Sequence, residues 1–168
     1  MPAANEDIIW SGTPSQVVNL KTFLITAAIV AVIVGVWTVL YLNEVMLGGY
    51  RWVLLLVALL PLLWAGKKWL DVRTTQFELT TQRLRFRRGL LAKHTDELEL
   101  YRVRDWQLHE PLLYRLFRLG TLTLITSDQS TPTVVLPALP NVHDVREQLR
   151  TNVEIMREKK KVREVDFE

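Results

Sequence analysis

Twenty consecutive residues without a charge, FLITAAIVAVIVGVWTVLYL from Phe23 to Leu42, set the first limit on how this chain can fold. At about 1.5 Å of rise per residue, such a run covers the roughly 30 Å hydrocarbon core of a bilayer. A buried helix of that length in a water-soluble domain carries a polar stripe. Here only Thr26 and Thr38 are polar, so the run is predicted to span a membrane. A second apolar stretch, WVLLLVALLPLLWAG, follows from Trp52 to Gly66. Pro61 within it lacks a backbone donor and predicts a kink. The spanning length is reached if Lys67 and Lys68 extend to the headgroups while Trp69 and Leu70 continue the helix into the interface. A re-entrant segment is the other reading of so short a run.

The connection NEVMLGGYR is too short for anything but a tight turn, so the two stretches form a helical hairpin at about 23–42 and 52–70, with both chain ends on one side. Lys21, Lys67, Lys68 and Arg73 flank that side and Arg51 the other. The positive-inside bias then places both termini in the cytoplasm of a multi-pass cell-membrane protein. Tyr41, Tyr50 and Trp52 are the expected anchors at the outer interface, and Trp64 and Trp69 at the inner one. No Asp, Glu, Lys, Arg or His falls inside either span, which argues against conduction or pumping. The first run is too long for a signal-peptide core and is followed by a second, which argues against cleavage. Ahead of it, Thr13 as N-cap, Pro14 at the first helical position and Gln16 make a capping box. Residues 1–22 are therefore expected to form a cytoplasmic or interfacial segment, in which a helix begins near Pro14 and runs along the inner interface before entering the bilayer, with Trp10 beside the headgroups.

From Asp71 the hydrophobic period changes to two. TTQFELTT, RLRFRR, HTDELEL, RVRDWQLH, TLTLITS and TVVLPAL are short alternating or β-branched runs, as in a small antiparallel sheet or barrel. Two helices interrupt them. PLLYRLFRLG, Pro111 to Gly120, opens on proline and closes on glycine, and is expected to bury Leu112, Leu113, Leu116 and Phe117. The last helix starts after Pro140 with Asn141 as N-cap; Val142, Val145, Leu149, Val153 and Met156 recur at helical spacing and should cap the sheet. Trp106, alternating with Leu108, is expected in the core. The domain is placed at residues 71–156, with a charged tail at 157–168.

Several short motifs sit on this frame: Trp10-x-Gly12-x-Pro14-Ser15 before the first span, Leu79-Thr80-x-x-Arg83-Leu84 across the first hairpin, Gly89 after the next strand, Val103-x-Asp105, and Gly120-Thr121-Leu122. Together with the element order they resemble the membrane-anchored bacterial pleckstrin-homology-like (PH-like) domain family. The resemblance covers nearly the whole chain. It implies an α+β membrane protein: a two-helix transmembrane hairpin, then a partly open antiparallel β-barrel capped by a C-terminal helix. It implies little about activity. Eukaryotic relatives carry a tryptophan in the last helix and a long basic first loop for inositol phosphates. This chain has neither, since the turn at Thr80 to Gln82 is tight.

The run RLRFRR raises a sharper question, because alternating arginines are either a phosphate-reading strip or the wet face of a strand. A hairpin centred on Leu91 sets Arg85 against Glu97, Arg83 against Glu99 and Leu84 against Leu98. Opposite charges across strands contribute roughly 0.2–1 kcal/mol each, so most of the strip is already partnered. Arg87, Arg88 and Lys93 remain near the tip, where Arg102 and Arg104 could join them as a contact for a lipid headgroup or an acidic partner. A second cluster, Arg157, Lys159, Lys160, Lys161 and Arg163, follows the last helix and is diluted by Glu158, Glu164, Asp166 and Glu168.

Cysteine is absent and the three histidines, His94, His109 and His143, show no ligand spacing; neither a metal nor another cofactor is expected. A net charge of +3, with acids following bases, does not suggest nucleic acid. Glycine-rich phosphate loops, HExxH and nucleophile elbows are missing, so an enzyme is not expected. The leading expectation is a non-enzymatic membrane adaptor or scaffold that presents its domain to a protein partner or to another copy of itself. The alternative is a sensor of anionic lipid headgroups.

Overall fold

A computed structural model describes residues 6–43, 51–89 and 92–160. It divides into two compact units, residues 18–71 and the remainder.

In the first unit, α1 (Leu20–Leu42) is followed by α2 (Arg51–Val57) and α3 (Leu59–Arg73). The helix including its 3-10 lead-in, Gln16–Leu42, is the one among the described residues long and apolar enough to cross a membrane, with a mean hydropathy of 2.6. Thr38 Oγ1 donates to Val34 O at 2.8 Å, which satisfies its hydroxyl inside its own helix. The second apolar stretch breaks at Ala58 into helices of 7 and 15 residues. Pro61 explains the break, since its ring displaces the carbonyl of Val57 and supplies no N–H to it. Trp37 meets Trp52 with ring centroids 5.9 Å apart and stacks on Tyr41 at 5.4 Å. At the other end, Asn19 Nδ2 donates to Lys68 O at 2.9 Å. These contacts make α2 and α3 run back along α1. Trp64 and Trp69 are each about half exposed. Tyr50 lies outside the described residues.

The second unit is α+β. Strands β1 (Ile8–Gly12), β2 (Gln76–Thr80), β3 (Arg83–Arg88) and β4 (His94–Glu99) form one antiparallel sheet in that order; β5 (Val103–His109), β6 (Leu119–Thr126) and β7 (Thr133–Pro140) form a second. The C-terminal helix α5 (Val142–Lys160) buries Val142, Val145, Leu149, Val153 and Met156, the predicted stripe, against a core that includes Leu79, Leu84, Leu98, Leu122, Leu124 and Leu136. Asn141 stands before it at φ 49°, and its carbonyl accepts from Asp144 N at 3.0 Å, as an N-cap carbonyl does. The helix continues through Lys160, past the predicted boundary at 156. Trp106 packs partly buried on the core, as its alternation implied.

Two expectations need correction. Ahead of the first span the chain forms a strand that was not expected, and the helix expected to begin near Pro14 begins two residues later. Ile8–Gly12 is an edge strand paired with β2, and helical structure starts with a 3-10 turn at Gln16. Ser15 Oγ, rather than Thr13, caps that turn by accepting from Val17 N at 3.3 Å. Trp10, expected beside the headgroups, packs partly buried against the core, with its indole folded over Gly12, where a Cβ would meet it at 2.4 Å. Residues on one strand face alternate, so the Trp-x-Gly spacing places ring over glycine. The second correction concerns α4 (Leu112–Leu116). Leu112, Leu113, Leu116 and Phe117 are exposed, while Tyr114 is half-buried. Helical spacing marks one apolar face, but a single turn over an already filled core has no room to bury it.

Candidate functional site

The arginine strip resolves into two halves. Its inner half is structural. The register is the predicted one, Arg83 opposite Glu99, Leu84 opposite Leu98 and Arg85 opposite Glu97. The side chains lean further, so that Glu97 takes hydrogen bonds from both Arg83 and Arg85. Glu6, whose side chain is 5% exposed, closes the cluster: its carboxylate lies 3.0 Å from Arg83 Nε and 2.8 Å from an Arg85 NH2. It also accepts from Thr80 Oγ1 at 2.7 Å. Thr80 in turn accepts from Arg83 N at 3.0 Å across the tight turn. No cation in this network is left for a ligand.

Glu97 is held below the ordinary glutamate range, first by the hydrogen bond from Arg83 and then by the charges of Arg83 and Arg85, against desolvation. A lowered folded-state value stabilises the fold at pH above the ordinary value. That contribution is lost as pH falls through the folded value, which lies below the ordinary glutamate range. Urea midpoints followed from pH 6 to pH 3 should therefore fall less steeply for Glu97→Gln than for the parent chain; parallel curves would show that the pair carries no pH-dependent stability.

The outer half opens onto a cleft. Gly89, at φ 102°, ends β3 with a turn that a side chain could not make, because a Cβ would meet Ala92 O at 2.1 Å. Beside this turn lies an open cleft of about 340 Å³ lined by Arg73, Arg87, Arg88 and Lys93, with Thr74, Gln76 and Thr95 between them and no carboxylate on its wall among the described residues. Arg87 is tethered to Glu78 at 3.1 Å and Arg88 to Asp96 at 2.8 Å. Arg73 and Lys93 make no ion pair among the described residues. Four donors of one sign around an open, hydroxyl-bearing cleft suit a phosphate or carboxylate group, with the tethered arginines presenting fixed forks.

Of the predicted contacts, Arg87, Arg88 and Lys93 thus come together. Arg73 joins them, although the sequence marked it only as a charge flanking a span. The others lie off the cleft wall. Arg102 pairs with Glu99 at 3.2 Å and Asp128 at 3.0 Å, and Arg104 stands exposed on β5. Lys160 sits over the Tyr101 ring, which also faces Arg102, each cation 5.7 Å from the centroid. Lys159 is exposed one residue earlier. Arg157 donates to Val103 O at 2.8 Å. Lys161 and Arg163 lie outside the described residues. Arg157 and Lys160 thereby lie against Val103 and Tyr101, and Arg102 and Arg104, read in the sequence with Arg87, Arg88 and Lys93, are off the cleft wall.

Compared with known proteins, the chain matches the family described as Bacterial PH domain over residues 15–153, a range that includes both apolar stretches and every strand but β1. No curated protein is detectably similar in sequence. Among solved structures, a DUF1696 family protein with a pleckstrin-homology domain from Shewanella loihica PV-4 is similar at 14% identity and a TM-score of 0.40, over 49% of this chain and 73% of its own.

Proposed function

The chain belongs to the bacterial PH domain family, and from that premise we propose that it is a non-enzymatic module anchored in the cell membrane, holding its sheet domain at the cytoplasmic face, where the cleft takes an anionic lipid headgroup. Two features support the anchor. α1 is long, uncharged from Phe23 to Leu42 and little buried, and α2 and α3 return along it, as the second leg of a transmembrane hairpin would. On this reading Tyr41 and Trp52 mark the outer interface, and Trp64, Lys67, Lys68 and Trp69 the inner one. Lys21, Lys67, Lys68 and Arg73 keep the termini inside.

The observation that carries the headgroup reading is the position of Arg73 in the cleft wall. It ends α3, the helix that also carries Lys67 and Lys68, so on the anchored reading one helix supplies both headgroup anchors and a cleft residue. Near an anionic leaflet each basic residue strengthens binding, and tethering makes even weak contacts effective. Full-length protein in detergent, titrated with phosphatidylglycerol or phosphatidylcholine and weighed by native mass spectrometry, should retain the anionic lipid preferentially. Arg73→Ala with Lys93→Ala should weaken that retention about tenfold, and added salt should weaken it further. Equal retention of the two lipids would overturn the reading.

A scaffold that recruits a protein or another copy is the second reading. It is favoured by β4 and β7, each hydrogen-bonded to one strand neighbour within its sheet, since such edges are covered or used. Crosslinking in native membranes that recovers a defined partner or homo-oligomer would support it.

A further inference from the structure

The outward face of α4 and its turn has no role in the fold or in the cleft. Leu112, Leu113, Leu116 and Phe117 are 82%, 57%, 77% and 52% exposed. Four large apolar side chains within six residues form a patch of the kind that marks an interaction site rather than ordinary surface. The segment is built rigidly. Arg115 N donates to Pro111 O, Phe117 N to Tyr114 O and Arg118 N to Arg115 O, at 3.0 to 3.1 Å, and Arg118 at φ 54° turns the chain back into β6. Its own charged residues are of one sign. Arg115 and Arg118 are exposed and unpaired among the described residues, and no acidic residue occurs between Glu110 and Asp128.

We propose that this turn is a bilayer wedge: its leucines and Phe117 enter the boundary between headgroups and acyl chains, while Arg115 and Arg118 meet anionic lipid phosphates. Three observations favour lipid over protein. The turn hydrogen-bonds much of its own backbone, so little polar main chain needs a partner in an apolar phase. Apolar side chains beside unpaired cations are the composition of interfacial membrane segments, whereas one helical turn falls far short of the roughly 800 Å² per partner of a stable protein interface. Finally, α3 and β2 are joined by Thr74 and Thr75 alone, which keeps the domain within reach of any membrane that holds α1. The inference rests on the anchored reading and is independent of the cleft.

The absence of cysteine gives a direct test. Single Leu112→Cys, Leu116→Cys, Val34→Cys and Gln129→Cys variants of the full chain are labelled with an environment-sensitive fluorophore in nanodiscs of phosphatidylcholine and phosphatidylglycerol. The first two sites are exposed and tolerate the change. Labels at 112 and 116 should lose most of their fluorescence to a lipid carrying a shallow doxyl quencher and little to an aqueous one, while the label at 129 behaves oppositely. The label at 34 reports the anchor itself. If 34 is quenched from the lipid and 112 and 116 only from water, the wedge is overturned and the anchor stands; if 34 is also quenched only from water, the anchor has failed. Protection at 112 and 116 that grows with protein concentration without lipid quenching would assign the patch to a second copy and overturn the wedge as well.

Discussion

Deleting residues 1–12 from the full chain should strip amide-exchange protection from β2 and lower the stability of the sheet domain by about 4 kcal/mol, a value that follows from two separable losses. The first is apolar. Ile9 and Trp10 pack partly buried against the core, and since complete burial of such side chains contributes about 1.5–3 kcal/mol each, two partial burials amount to about 2. The second is electrostatic. Removing one member of a buried ion cluster costs about 3–5 kcal/mol when the partners are left stranded. Arg83 and Arg85 keep Glu97 and are 28% and 22% exposed at the side chain, which reduces that loss to about 2 kcal/mol. Urea unfolding of the parent and shortened chains in the same micelles measures the total, and hydrogen exchange on β2 localises it. Unchanged exchange there would mean that Ile8–Gly12 does not pair in solution. The same reasoning says that a fragment beginning at residue 71 is an incomplete domain, so lipid-binding measurements belong on the full chain.

That strand was the least legible element in the sequence, and the reason is distance. Its partner β2 lies beyond the whole apolar unit, and nothing in IIWSG encodes a pairing across it. Locally, Thr13-Pro14 and Gln16 form a better helix start than the strand forms a strand. By contrast, β3 and β4 are neighbours in the chain, and alternation alone set Arg85 opposite Glu97 and Leu84 opposite Leu98, because a slip of one residue would expose Leu84 and Leu98. The six later strands and the stripe of α5 were legible for the same reason. What the pattern could not supply was direction. The spacing of Leu112, Leu113, Leu116 and Phe117 defines a face without saying whether protein or solvent lies against it. The cleft was half legible: Arg87, Arg88 and Lys93 stood out as cations without cross-strand partners, but Arg73 belongs to a different element, and only the fold brings β2 beside the open end of the hairpin. Arg102 and Arg104 were grouped with the cleft by charge alone, and charge carries no address.

The motifs that support family membership turn out to hold the fold, which is why they are silent about ligands. Leu79 and Leu84 face each other fully buried around the Thr80 turn, Val103 is buried while Asp105 accepts from Trp106 N at 2.8 Å, and Ser15 N ties the chain after β1 to Ala138 O at 2.9 Å. Gly120 gives the largest single-site expectation. A Cβ there would lie 2.5 Å from Val142 Cγ1 and 3.2 Å from Leu108 Cδ1, and Val142, 2% exposed at the start of α5, is β-branched and cannot swing aside. Gly120→Val should therefore destabilise the domain by about 3 kcal/mol or more, at the upper end of overpacking costs. Val142→Ala alone should cost about 2 kcal/mol for its lost methyl groups. Combined, the two exchange volume across one contact, so the double variant should be more stable than Gly120→Val alone, with a coupling of at least about 1 kcal/mol in a urea-measured cycle. Additive losses would show that Gly120 is needed for its backbone rather than for the space that lets the first turn of α5 seat against β6.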